Sequence, residues 1–230
     1  IRMRLLRILG PALMALLMLG VATAPVAAQD VDPAEGTDFQ DLEGIQKAYV
    51  RSYSVDFMTM MESATPDAEP SGWFVLTIMA LEFDSEDNAS SSHDVLLQDL
   101  ETTDMGDAGA TFEDAELDVD FDHTAKLAVM EEEGMTSTML LATAQDGNHI
   151  YIVIGLTFGE DPGVAAGSLL TSMKETDISD DEEMFSVDGT SMGGLWAKLP
   201  SVDQVRKEAP SLTQATDAIA YPVTEGTPAG

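Results

Sequence analysis

Apolar and polar positions change period several times along this chain, and the changes mark its elements. From Tyr49 the pattern alternates: Tyr49, Arg51, Tyr53, Val55 and Phe57 share one parity, which predicts a strand with one buried face. After a loop rich in Pro and acids at Ser63–Gly72, the stretch Trp73–Phe83 is almost continuously apolar and suits a central strand. Ser85–Leu100 opens on a serine and places acids in its first turn. Its Ala89, His93, Leu96, Leu97 and Leu100 fall at helical spacing, which predicts an amphipathic helix lying on the sheet. Thr111–Asp122 alternates again, with Leu117, Val119 and Phe121 opposed to Asp118, Asp120 and Asp122. Lys126–Glu131 and Gly134–Ala144 read as further strands, and Gln145-Asp146-Gly147-Asn148 as a hairpin turn that returns through His149–Phe158. Asp161 then caps a second helix with Pro162 at its first position and Ala165, Leu169, Leu170 and Met173 on one face.

Together these elements predict an α+β domain over Leu42–Asp177, an antiparallel sheet of about six strands with two amphipathic helices laid on it. A flexible acidic segment, 29–41, precedes the domain, and an acidic linker with a C-terminal extension, 178–230, follows it. Leu81-Glu82-Phe83 aligns with Leu156-Thr157-Phe158, each followed within a few residues by an acid-capped helix carrying a Leu-Leu pair. That match fits an internal strand–strand–helix duplication, and it equally fits the ordinary way an antiparallel sheet receives a helix. The extension holds apolar anchors at Leu195, Trp196 and Leu199 beside the cations Lys198, Arg206 and Lys207, so it is expected to dock on the acidic body.

The order strand, strand, helix, four strands, helix, with the strand–turn–strand segment Ala142–Val153, resembles single-sheet exported domains of bacteria. Among these are the photosystem-associated PsbP-like domains and the sensor-like domains of actinobacterial lipoproteins. The resemblance covers about Tyr49–Asp177, rests on pattern, and implies a binding or sensing module rather than an active site. The chain departs from the lipoproteins in having no cysteine to carry a lipid.

Charge narrows the partners. Asp and Glu number 42 against 10 Lys and Arg, a formal net charge of −32. Binding to nucleic acid or to an anionic membrane surface needs clustered cations, so both are excluded as partners. Three cations, Arg2, Arg4 and Arg7, precede the apolar run Ile8–Val21, and Val26-Ala27-Ala28 supplies small residues beyond it. Residues 1–28 therefore read as a secretory signal peptide cut after Ala28, which predicts a secreted or extracytoplasmic protein. The uncharged stretch Ile8–Gln29 is also long enough for a membrane anchor, which takes ~20 residues, but Pro11, Pro25 and the Ala-rich end suit cleavage better. Cleavage would leave Lys47, Arg51, Lys126, Lys174, Lys198, Arg206 and Lys207 as the only cations. Repulsion of this size calls for counter-ions, whether divalent cations or a cationic or amphipathic ligand. With no cysteine, the fold must hold by its core alone.

Chemistry is sparse. Gly189-Thr190-Ser191-Met192-Gly193 has the spacing of a nucleophile elbow, yet no histidine follows His149 to serve it, and a glycine-rich turn explains the string. His93, His123 and His149 stand without a second ligand at helix or hairpin spacing. Asp118, Asp120 and Asp122 imitate the start of a calcium loop, but His123 occupies the glycine position and Val129 the closing acid. Asp180, Asp181 and Glu183, within the denser cluster Asp177–Glu183, are hard oxygen ligands at a density that can hold calcium, and they are the candidate metal ligands. No catalytic set and no other cofactor site emerges.

The function expected from the sequence is accordingly a non-enzymatic extracytoplasmic binding or sensing module. A secreted hydrolase working through carboxylates and an acidic surface protein are the alternatives. Because salt screens repulsion among carboxylates, the melting temperature should rise from low to molar salt, and a flat profile in a salt titration would contradict this.

Overall fold

The computed structural model describes residues 42–55, 71–101, 111–132, 135–176, 186–187, 190–191, 195, 198–212 and 214–222. Residues 1–28, read above as a signal peptide, the acidic 29–41 segment, Trp196 and the Asp180 cluster lie outside them.

Two strands decide the architecture. β2 (Gly72–Phe83) and β6 (His149–Phe158) are buried on nearly every residue, so both of their faces have to be covered. They lie side by side and antiparallel, with Ile78 opposite Val153 and Leu81 opposite Ile150. Around them β1 (Ile45–Ser54), β3 (Glu113–Ala115), β4 (Thr124–Glu132), β5 (Met135–Asp146) and β9 (Gln214–Pro222) complete a seven-stranded antiparallel sheet in the order β3-β4-β5-β6-β2-β1-β9. A separate two-residue hairpin joins β7 (Ser186–Val187) and β8 (Thr190–Ser191).

The period of two sorts the apolar side chains into two cores. Met79, Leu81, Phe83, Leu141, Ile150, Ile152 and Ile154 point to one face, where α1 (Glu86–Glu101) contributes Ala89 and Leu96. Leu76, Ile78, Ala80, Leu140, Ala142, Tyr151 and Val153 point to the other, where α2 (Gly163–Glu175) contributes Ala165, Ala166, Leu169, Leu170 and Met173. The two expected helices thus share the sheet but lie on opposite faces of it. α1 begins where the serine predicted: Asn88 N–H donates to Ser85 Oγ at 3.3 Å. At α2 the Asp161 carboxylate accepts from Gly163 N–H at 2.9 Å, with Pro162 at the cap position.

Three expectations need correcting. The alternation over Thr111–Asp122 yields only the three paired residues of β3. Beyond them Leu117 N–H donates to His123 Nε2, not to a strand, and Leu117 is buried in the core that α2 shares. Gly167 of α2 makes this approach feasible, since a Cβ there would stand 3.3 Å from Val119 Cγ1. The hairpin turn is shifted by one residue: Asp146 pairs with His149, leaving Gly147 and Asn148 as the loop, with Gly147 at φ +57°. The sheet also has seven strands where about six were expected, and there is a third helix.

Both additions come from the C-terminal extension. Leu195, Leu199, Val205, Ala209 and Leu212 are buried in the α2-side core. α3 (Val202–Glu208) starts in a capping box formed by Ser201 and Gln204. β9 then pairs along β1 from Ser54–Gln214 to Lys47–Pro222. The sheet's two ends carry blunting features, a three-residue β3 on one side and, on β9, a bulge opposite Ala48/Tyr49 with Pro222 at its end.

Gly155 is the tightest point of the α2-side core. A Cβ there would overlap the Trp73 ring and come within 2.9 Å of the Val75 carbonyl oxygen. Gly155→Ala should destabilise the fold by about 1–3 kcal/mol, read as a lowered denaturation midpoint at unchanged slope.

Candidate functional site

At the β5–β6 turn the α2-side positions of the sheet change from apolar to charged. Register sets Lys47 against Glu82, Glu82 against His149, and His149 against Asp146, a row across β1, β2, β6 and β5. Lys47 Nζ is 3.4 Å from Glu82 Oε2. α2 ends over the same row and brings Lys174 Nζ to 3.5 Å from Asp146 Oδ1. The C-terminal segment adds the buried Lys198, which donates to the Lys174 carbonyl at 3.2 Å and lies 5.6 Å above the Tyr151 ring. That ring stacks beside the His149 imidazole, with centroids 6.3 Å apart and planes 7° from parallel. Tyr151 is fully buried, and its hydroxyl has no hydrogen-bond partner among the described residues.

Burial governs the protonation of this cluster. It pushes the His149 imidazole below its usual range; Glu82 opposes the shift, Lys198 reinforces it and Asp146 opposes it. Burial also pushes the Tyr151 phenol far above its ordinary value, with Asp146 adding to it, and raises Tyr49 with help from Glu82. At neutral pH the imidazole and both phenols are therefore uncharged, set among carboxylates and ammonium groups.

Beside the row, the irregular segment before β4 and the end of α2 leave a shallow depression of about 640 Å³ lined by Val119, Asp120, Phe121, Asp122, Gln145 and Lys174. Asp120 and Asp122 are exposed, while Val119 and Phe121 are half-buried. Lys174 Nζ sits 5.1 Å from the Phe121 ring centroid, within the range of a cation–π contact. The Gln145 amide is already engaged, donating to Ser90 Oγ at 2.8 Å and to the Gly147 carbonyl at 3.0 Å. The depression therefore offers an aromatic face, an apolar wall and carboxylates around an ammonium group.

The candidates read from sequence fall elsewhere. Asp180, Asp181 and Glu183 lie outside the described residues, as do Asp177, Glu182 and Asp188, so their calcium reading stays a proposal. Ser191 belongs to β8, and its neighbours Gly189, Met192 and Gly193 are outside the described residues. Among the described residues no three His, Asp or Glu side chains converge as metal ligands. Asp118, Asp120 and Asp122 are exposed, but on the irregular segment rather than on a strand.

The histidines are separate. His93, on α1, has its Nε2 2.7 Å from Thr143 Oγ1, and burial lowers its pKa. His123 accepts from Leu117 N–H through Nε2, which leaves Nδ1 to donate to the Phe121 carbonyl at 3.0 Å. Trp73 and Tyr151 are both buried in the core.

Sequence reasoning passed over Glu82, Asp146, Lys174 and Lys198 as a group. One signal was available: Glu82 is the only charged residue in β2, and a charge inside an apolar strand needs a partner. Comparison of the chain with protein-family models, with curated proteins and with solved structures finds no match. The pattern-level resemblance to exported single-sheet domains therefore carries no residue roles onto this chain.

An unpartnered buried hydroxyl destabilises a core by about 1–3 kcal/mol, whereas a phenyl ring in its place loses nothing. Tyr151→Phe should hold or raise the melting temperature. A clear drop would mean that the hydroxyl is satisfied by a bound group.

Proposed function

We propose that this chain is an exported, non-enzymatic extracytoplasmic module that binds or senses a cationic or amphipathic ligand. The observation supporting this reading is the depression at the end of the α2 face, where Phe121 already accepts an ammonium group from Lys174 and Asp120 and Asp122 stand at the rim. An incoming amine would find the same aromatic face and carboxylates, with Val119 and Phe121 to cover an apolar stem. The acid surplus of the whole chain would draw such a ligand in and repel anions, most strongly at low salt.

Two finer proposals accompany this one. Calcium binding by Asp180, Asp181 and Glu183 would give a stabilisation at micromolar calcium that Asp181→Asn removes. A strand–strand–helix duplication would make β2 and β6 counterparts; they are neighbours, but with their helices on opposite faces the repeat would have no two-fold symmetry.

The test is calorimetric titration of the full chain with alkylamines, polyamines and short cationic peptides, beside anionic and neutral controls. Amines should bind with a salt-dependent affinity that Phe121→Ala combined with Asp120→Asn weakens at least tenfold. Binding unchanged in that variant would move the site elsewhere. Turnover in a glycosidase or esterase panel, lost on replacing one carboxylate, would favour a hydrolase instead.

A further inference from the structure

We propose that the seat of the C-terminal segment on the α2 face is acid-sensitive, with His149 as the group whose protonation loosens it. The segment is held at this end by Lys198 and Pro200. Lys198, 6 % exposed, binds the last turn of α2 through the Lys174 carbonyl and covers the Tyr151 ring. The Pro200 carbonyl accepts from Arg51 Nη1 at 2.6 Å and from Tyr53 Oη at 3.2 Å. His149 stacks beside the ring that Lys198 covers, so imidazole and ammonium share one aromatic neighbour.

While the imidazole is neutral, this is one cation on an uncharged aromatic pair. Protonation places a second positive charge in the group and one that burial disfavours. Among the described residues, the charged neighbours pull both ways. Glu82 on β2 and Asp146 on β5 favour the imidazolium, but Glu82 is already paired with Lys47 and Asp146 with Lys174. Lys198, from the segment itself, opposes it, and Tyr151 beside it is uncharged. The balance keeps the seated imidazole below its usual pKa.

Linkage then fixes the direction. A segment that lifts away removes Lys198 and part of the burial, so the His149 pKa rises toward the ordinary imidazole value. Stability of the seat is complete above that value and declines as pH falls below it, because the lifted form takes up a proton that the seated form holds more weakly. A window from about pH 7.5 to 5.5 spans the ordinary range of imidazoles and stays above that of carboxylates, and the His93 control below separates His149 from the imidazole on the opposite face. The loosening is a local opening of the C-terminal segment and β9, with the rest of the sheet intact.

Hydrogen exchange of the full chain between pH 7.5 and 5.5, corrected for the intrinsic pH dependence of exchange, tests this. Protection in 198–222 should fall several-fold on acidification, while β5 and β6 keep theirs. His149→Gln should remove that pH dependence, and His93→Gln, altered on the opposite face, should leave it. A second measurement follows the His149 imidazole by NMR: Lys198→Met should raise its pKa by removing the opposing ammonium. Protection that does not change with pH, a dependence that survives His149→Gln, or an imidazole unmoved by Lys198→Met would each overturn the proposal.

Discussion

The fold depends on a sheet whose central strands are apolar on both sides. β2 and β6 bury Leu76, Ile78 and Val153 to one face and Met79, Leu81 and Ile152 to the other, so neither face can be left to solvent. At about 25 cal/mol per Å² of apolar surface, an uncovered face of this kind would outweigh the net stability of an ordinary domain. α1 covers one side. On the other, α2 shares the work with the C-terminal segment, whose Leu195, Leu199, Val205, Ala209 and Leu212 extend the same core. What reads along the chain as an appendage is therefore part of the sheet's cover and, through β9, of the sheet itself.

A second constraint follows from the scarcity of cations. Among the described residues each of five joins two elements. Lys47 ties β1 to β2, and Lys126 ties β4 to β3 through Asp114 at 2.8 Å. Lys174 ties α2 to the β5 turn, Lys198 ties the C-terminal segment to α2, and Arg51 ties that segment to β1. Arg51, Lys126 and Lys198 are buried. A hydrogen bond from a charged donor is worth about 1.5–3 kcal/mol when well made, more than an exposed ion pair, and the buried ones are screened least by salt. Attraction is concentrated at the joints, while exposed acids such as Asp118, Asp120 and Asp122 face solvent, where ions screen them.

Both constraints meet at the β5–β6 turn. The charged row ends there, α2 stops there, and the C-terminal segment enters there with Lys198. Protonation of the His149 imidazole, filling of the neighbouring depression and seating of the segment would thus involve neighbouring groups, with Lys174 common to the row, the depression and the Lys198 contact. Coupling between a ligand site and a movable segment needs such shared groups. A sensing module built on this plan would require no long-range path.

Sequence by itself determined the parts. The continuous apolar run of β2, the serine and acids that start α1, the Asp161–Pro162 start of α2 and, to within one residue, the hairpin turn were all legible, because each follows from backbone preference and side-chain period within a few residues. The strand expected through Asp122 failed because alternation shows that one face is buried but not what buries it; here the partner is α2, approached at Gly167. Only tertiary structure decided which face each helix covers, that Gln214–Pro222 returns to pair with β1, and that Lys47, Glu82, His149 and Asp146 stand in one row. Those facts depend on register between strands far apart in the chain. Register is set by the whole buried face at once and leaves no local mark.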